Sequence, residues 1–139
     1  MKKVIFCAVA LMIGTAVSAQ FNDADLLQIG LLNNSDVDQT GFMNDSYTFQ
    51  FGAFNDSEVD QIGVRNQSDE DQRGLGNESD VLQVGRRNYS EVDQRGIGNV
   101  SNVDQMGRRN DSDTYQWGIG NDANVYQRGL RNESDIDQI

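Results

Sequence analysis

The chain has 139 residues, a length that suits a single domain, and carries 22 acidic against 11 basic residues, so its formal net charge is −11. It contains no histidine, no proline and one cysteine, which excludes a disulfide framework. The acidity argues against binding to nucleic acid or to an anionic membrane through general electrostatics.

Residues 1–19 are typical of a secretory signal peptide. Lys2 and Lys3 precede a short apolar run, and small residues lead up to Ala19, so we expect cleavage before Gln20. The run is shorter than the roughly 18 residues of a membrane span, and Cys7 lies inside it, which disfavours a membrane or lipoprotein anchor. Cleavage would leave nine arginines and 22 acidic residues, a net charge of −13.

Residues 20–139 form one predicted repeat domain with a period of 11 residues. An asparagine opens each repeat: Asn22, Asn33, Asn44, Asn55, Asn66, Asn77, Asn88, Asn99, Asn110, Asn121 and Asn132. A glutamine follows six residues later: Gln28, Gln39, Gln50, Gln61, Gln72, Gln83, Gln94, Gln105, Gln116, Gln127 and Gln138. A glycine follows two residues after the glutamine: Gly30, Gly41, Gly52, Gly63, Gly74, Gly85, Gly96, Gly107, Gly118 and Gly129. Such regularity argues against a disordered acidic chain.

The consensus N-x-S-x-V-x-Q-x-G-x-x alternates with period two, which predicts one β-strand per repeat. Asparagine, serine, the apolar residue, glutamine and glycine share one face, and mostly charged or aromatic residues share the other. An 11-residue helical repeat is disfavoured because each unit carries glycine and only one regular apolar position.

A second period makes the structural unit 22 residues long. The residue before the asparagine alternates between arginine, as in Arg87, and glycine, as in Gly76, so we predict two kinds of turn. The 22-residue units begin at Asn22, Asn44, Asn66, Asn88 and Asn110, and a half unit spans 132–139.

These features predict an all-β fold, a β-solenoid with two strands per rung and an amyloid-like cross-β stack. Rungs about 4.8 Å apart would place each side chain over its own copy. Each inward asparagine or glutamine amide can then donate to the carbonyl of the next copy, which satisfies a buried polar group. The glycines would supply positive φ angles or close backbone approach at the corners.

Two features depart from this simple scheme. Glu70 occupies a predicted inward position, where we expect it to be protonated, paired with an arginine or turned outward. An outward position of the repeat is rich in aspartate, and we expect these carboxylates to repel and discourage premature aggregation. Binding of divalent cations between the carboxylates is the less favoured alternative, because no EF-hand spacing is present.

The repeat resembles the curlin repeat of bacterial curli subunits. The pattern appears as Asn66, Gln72, Asn77 and Gln83, with Gly74-Leu75-Gly76-Asn77 in mid-unit, and it recurs as Asn88, Gln94, Asn99 and Gln105. The resemblance implies a structural subunit that is exported through an outer-membrane pore and polymerises into an extracellular amyloid fibre at the surface of a Gram-negative-type cell. It also implies a role in biofilm matrix and adhesion, with itself and a nucleator subunit as partners.

Other functions stay open at this point. The chain could be a monomeric secreted β-solenoid that binds ice, a divalent cation or a polysaccharide, or it could be the minor, nucleating subunit of the same fibre. We do not expect an enzyme, because histidine is absent and the serines and aspartates are interchangeable members of repeats. We expect no cofactor, no dedicated metal site and no nucleic-acid partner.

Overall fold

The structure is a computed structural model that describes residues 21–139. The predicted signal peptide lies outside these residues. Residues 21–139 contain no helix that is long and apolar enough to cross a membrane.

Eleven strands fill the described part of the chain. They are β1 (Asp23–Leu31), β2 (Asn34–Phe42), β3 (Asp45–Ala53), β4 (Asp56–Val64), β5 (Gln67–Leu75), β6 (Glu78–Arg86), β7 (Tyr89–Ile97), β8 (Val100–Arg108), β9 (Asp111–Ile119), β10 (Asp122–Leu130) and β11 (Glu133–Gln138). Each strand corresponds to one 11-residue repeat, and a two-residue turn that ends in the repeated asparagine connects it to the next.

Consecutive strands lie in opposite sheets. The odd-numbered strands form a six-stranded sheet in the order β1-β3-β5-β7-β9-β11, and the even-numbered strands form a five-stranded sheet in the order β10-β8-β6-β4-β2. All neighbours are parallel, and each residue pairs with the residue 22 positions along, as Gln28 does with Gln50. The predicted two-strand β-solenoid with a 22-residue unit is thereby confirmed.

The interior between the two sheets is mostly polar. Serine, asparagine and glutamine side chains are buried in nearly every inner rung, whereas the buried apolar residues are Val59, Val81, Val92, Val103, Ala123 and Val125. The valines stack in the centre of the coil, and Ile136 packs against them at one end. Hydrophobic burial alone therefore contributes modestly, and the buried amides need hydrogen-bond partners.

Candidate functional site

The glutamines form two continuous hydrogen-bonded ladders. In the six-stranded sheet the ladder runs from Gln28 to Gln138, and each Nε2 donates to the Oε1 of the next copy over 2.7–3.0 Å. In the five-stranded sheet the ladder runs from Gln39 to Gln127 over 2.9–3.0 Å. The inner glutamines are fully buried, so these bonds replace the water that the amides lose on folding.

The same glutamines also hold the two sheets together. The second N–H of Gln50 donates to the backbone carbonyl of Asn34 in the opposite sheet, at 2.6 Å. Equivalent bonds recur along the stack, for example from Gln83 to Gln67 and from Gln138 to Asp122. Each interior glutamine therefore uses both N–H donors, one along the stack and one across it.

The asparagines form a different kind of ladder from the one that the sequence suggested. From Asn22 to Asn110 the Oδ1 of each repeated asparagine accepts the backbone N–H of the asparagine one rung further on, over 3.0–3.2 Å, as Asn66 Oδ1 does from Asn88. The Nδ2 of Asn66 instead donates back to the carbonyl of Ile62, which fastens the turn. The expectation of side-chain-to-side-chain asparagine ladders is therefore wrong for most positions, because the short side chain reaches the backbone first.

The glutamine ladders and the asparagine ladders have opposite polarity. Glutamine side chains donate in the direction of β10 and β11, whereas the asparagine oxygens accept from that direction. The β10–β11 end of the stack therefore presents glutamine N–H groups and asparagine oxygens. The β1–β2 end presents the complementary groups.

The repeated glycines lie where adjacent rungs come closest at the corner. Gly74 has φ +132°, and a Cβ added there would lie 1.9 Å from the carbonyl oxygen of Gly96. The equivalent distance is 1.7–2.0 Å at each of the repeated glycines from Gly30 through Gly107. Both reasons that the sequence suggested for glycine, positive φ and close approach, apply at these positions.

The two kinds of turn expected from the sequence share one backbone conformation. Arg65, Arg87, Arg109 and Arg131 have φ 57–58°, and Gly76, Gly98 and Gly120 have φ 63–69°. Leu32, Met43 and Phe54 adopt the same left-handed conformation at φ 56°. The prediction of two turn geometries is wrong: arginine, glycine and apolar residues all take the same left-handed φ immediately before the repeated asparagine.

The outward aspartates fall into two columns on opposite faces. Asp71 and Asp93 stack in the six-stranded sheet, and Asp38 and Asp60 stack in the five-stranded sheet. Burial raises the pKa of Asp60, and the neighbouring Asp38 raises it further. Asp38 and Asp60 therefore repel each other in the folded stack, whereas Asp71 and Asp93 each form an ion pair with an arginine.

No metal centre is built by the carboxylates of the described residues. Among residues 21–139 no group of three or more aspartate, glutamate, histidine or cysteine side chains has the arrangement of a metal site.

Glu70 points into the interior and is fully buried. Its carboxylate accepts hydrogen bonds from Ser57 Oγ at 2.5 Å and from Ser68 Oγ at 3.4 Å. Burial raises the pKa of Glu70 to about 7, and the serine hydrogen bonds oppose a further rise. Of the three expectations for this residue, pairing with arginine and an outward turn are wrong; the raised pKa favours protonation at mildly acidic pH.

The fold and its ladders define a class: a parallel, in-register β-solenoid with two strands per rung, held together by buried amides. No family model matches the chain, and no match was found among the curated proteins.

Proposed function

We propose that the chain is the structural subunit of an extracellular, curli-like amyloid fibre that serves in biofilm matrix, surface adhesion and aggregation. The observation that carries the proposal is the complementarity of the two ends of the described stack. A second copy that joins end to end would extend every ladder in the register that already exists inside the molecule.

The backbone at the two ends is complementary. Inside the stack the first residue of each strand donates its N–H to an asparagine carbonyl one rung on, as Tyr89 does to Asn110 at 2.9 Å. Among the described residues, the equivalent N–H groups of Asp122 and Glu133 have no acceptor, and the carbonyls of Asn22 and Asn33 have no donor. Contact between these ends would satisfy both pairs.

The side chains at the ends are complementary as well. At one end Gln127 and Gln138 keep one N–H each that donates to no described residue, and at the other end the Oε1 atoms of Gln28 and Gln39 accept from none. A head-to-tail contact joins donors to acceptors, whereas head-to-head contact would oppose like groups. Such a heterologous contact does not close and therefore generates a filament.

The strand count predicts the rotation between neighbouring copies. For a fibre built from residues 21–139, continuity places β1 of the next copy on β10 and β2 of the next copy on β11. Its six-stranded sheet then continues the five-stranded sheet of its neighbour, so successive copies differ by half a turn about the fibre axis. The axial repeat would contain two copies, or eleven rungs of about 4.8 Å each.

A pair of proline substitutions tests the proposal at one end. Asp122→Pro and Glu133→Pro remove the two free N–H groups and place proline at the first residue of each strand, where a sheet tolerates it. They delete no backbone hydrogen bond observed within residues 21–139, and the one side-chain bond they remove, from Asn124 Nδ2 to Asp122, is also absent from the alanine control described next. We expect the double variant to fold but to elongate fibres far more slowly than the unmodified protein, by seeded assembly and sedimentation.

Alanine variants are the matched control. Asp122→Ala and Glu133→Ala remove the same two charges and keep both N–H groups, so fibre growth should persist. Fibres of the unmodified protein should give a meridional diffraction reflection near 4.8 Å. The proposal is wrong if concentrated protein stays monomeric for days, or if the proline variant elongates as fast as its alanine control.

The outcomes also separate the alternative functions. A stable, folded monomer would favour a secreted β-solenoid that binds a surface, a cation or a polysaccharide. A protein that assembles poorly alone but, as short seeds, accelerates another subunit would favour the nucleating role. Catalysis is not part of the proposal, and neither is a cofactor.

A further inference from the structure

Six of the nine arginines lie along one edge of the solenoid. This arginine edge lies where the chain passes from the five-stranded sheet to the six-stranded sheet, in the turns and in the last residues of β6 and β8. It consists of Arg65, Arg86, Arg87, Arg108, Arg109 and Arg131. Backbone hydrogen bonds stack these turns rung upon rung, from Arg109 to Arg86 and from Arg131 to Arg108. Guanidinium groups therefore recur at about the rung spacing of 4.8 Å.

The arginine edge has no ion-pair partner among the described residues. Within residues 21–139 the ion pairs are Arg73–Asp71 and Arg95–Asp93, both on the six-stranded sheet. The positive charges of Arg86 and other edge arginines lower the pKa of Arg87. Five of the six arginines are exposed, and Arg87 is half-buried.

Turn geometry does not explain this concentration of charge. The opposite edge has the same left-handed conformation and is built from uncharged residues, with Leu32, Phe54 and Gly76 at the equivalent positions. An acidic protein thus carries most of its positive charge on the arginine edge, although the turns of the opposite edge take the same conformation without charged residues.

The complementary surface lies on the outer face of the five-stranded sheet. There Asp36, Glu58 and Asp80 stack in one column, and Asp38 and Asp60 stack in the next. We call these five residues the acidic patch. The charges of Asp80 and Asp60 raise the pKa of Glu58, and no cation forms an ion pair with the patch in the described part of the chain.

We propose that the arginine edge of one solenoid docks on the acidic patch of a second copy and joins neighbouring fibres side by side. The inference rests on the proposed function, because an extended fibre repeats both surfaces many times. The arginine edge and the acidic patch both follow the stack axis with the same rise per rung. Arginines from three successive rungs can therefore face carboxylates from three successive rungs. Paired guanidinium and carboxylate groups form charge-assisted hydrogen bonds and relieve both like-charge rows.

Charge reversal on each surface tests the contact. The edge-reversed variant is Arg87→Glu with Arg109→Glu, and the face-reversed variant is Glu58→Arg with Asp80→Arg. Fibres of each variant are grown separately at about 10 mM salt, where screening is weak, and bundle width is measured by electron microscopy. We expect each variant alone to lose bundling. Mixing the two preformed fibres should restore bundles, because each reversed surface then meets an opposite charge.

The control variant is Arg73→Glu with Arg95→Glu, which changes the net charge as much as the edge reversal does but lies on the other face. Its fibres should still bundle. The neutral pair Arg87→Gln with Arg109→Gln provides a second measurement if the charge-reversed chain does not fold, and it should also reduce bundling. The inference is overturned if face-reversed fibres bundle normally, if mixing fails to restore bundles, or if the control loses bundling equally. Failure to form any fibre would instead contradict the proposed function.

Discussion

Replacement of Glu70 by glutamine should make the folded protein less sensitive to alkaline pH. The buried carboxyl group keeps its proton in the folded state up to a pKa of about 7, whereas the unfolded chain ionises near 4.5. Because the pKa of Glu70 is raised in the folded state, the stability contributed by its protonated carboxyl group is fully present below pH 4.5. This contribution is lost as the pH rises through 7. Glutamine does not titrate, so Glu70→Gln removes this dependence.

The expected magnitude follows from the size of the shift. A difference of about 2.5 pKa units, at 1.36 kcal/mol per unit, corresponds to about 3 kcal/mol of folding free energy between pH 4 and pH 8. The hydroxyl of Ser57 can donate to the amide oxygen of glutamine as it does to the carboxylate. At pH 4 the two proteins should therefore have similar stability, and at pH 8 the glutamine variant should be more stable by about 3 kcal/mol.

Denaturant unfolding at a series of pH values, at one fixed protein concentration, measures this difference. Glu78→Gln is the matched control, since it removes one carboxylate from an exposed position of the next strand. A stability difference between the unmodified protein and Glu70→Gln that stays constant from pH 4 to pH 8 would refute the reasoning. A stability difference between the unmodified protein and Glu78→Gln that changes with pH by the same amount would also refute it.

Two further predictions compare pairs of positions, and a third concerns the rate of assembly. Gly74→Ala would place a Cβ 1.9 Å from Gly96 O and should cost at least about 4 kcal/mol, whereas Gly76→Ala meets no atom within 4 Å and should cost about 1 kcal/mol in denaturant unfolding. Ser101→Ala removes a buried hydroxyl that has no hydrogen-bond partner among the described residues, so it should leave the unfolding free energy unchanged or raise it. Ser57→Ala removes a hydrogen-bond donor to Glu70 and should lower the unfolding free energy by about 1–3 kcal/mol at pH 8. Assembly followed by light scattering should accelerate as the pH falls or salt rises, because the outer carboxylates of the stack repel; rates indifferent to both would contradict this.

The strand, the register and the inward face could all be predicted from the sequence. Alternation places Gln72 and Val81 inside, and a strict 22-residue period leaves one way to stack copies. A slip of one residue would expose every glutamine and bury the charged residues. The pattern is therefore sufficient for the architecture.

The details that the sequence could not supply concern choices between atoms. Periodicity places Asn66 inside but does not decide whether its oxygen accepts from a side chain or from the backbone N–H of Asn88. Likewise, arginine and glycine before the asparagine suggested different turns, yet Arg87 and Gly76 share one conformation. Both outcomes depend on distances and angles between atoms in the turn, which a repeat consensus does not contain.

The position of Glu70 illustrates a third limit. A single deviation from the consensus could be accommodated by turning the residue outward, but that would shift the alternation of the whole strand β5. Its neighbours Ser68 and Gln72 are both fully buried and hydrogen-bonded within the stack. The strand keeps its register because its remaining inward residues outweigh the cost of burying one carboxyl group.

The polar interior gives a physical reason for the proposed fibre growth. A hydrophobic core can be closed at an end by any apolar loop, whereas an end amide needs water or another polar group, and a further amide at the same height and polarity continues the ladder. Gln94 in mid-stack donates to Gln116 and accepts from Gln72, but Gln138 donates its Nε2 to the backbone alone within the described residues. A further rung of the same sequence satisfies the end group with no change in geometry. In the proposed fibre, the buried amides that stabilise each inner rung would therefore also favour the addition of the next molecule.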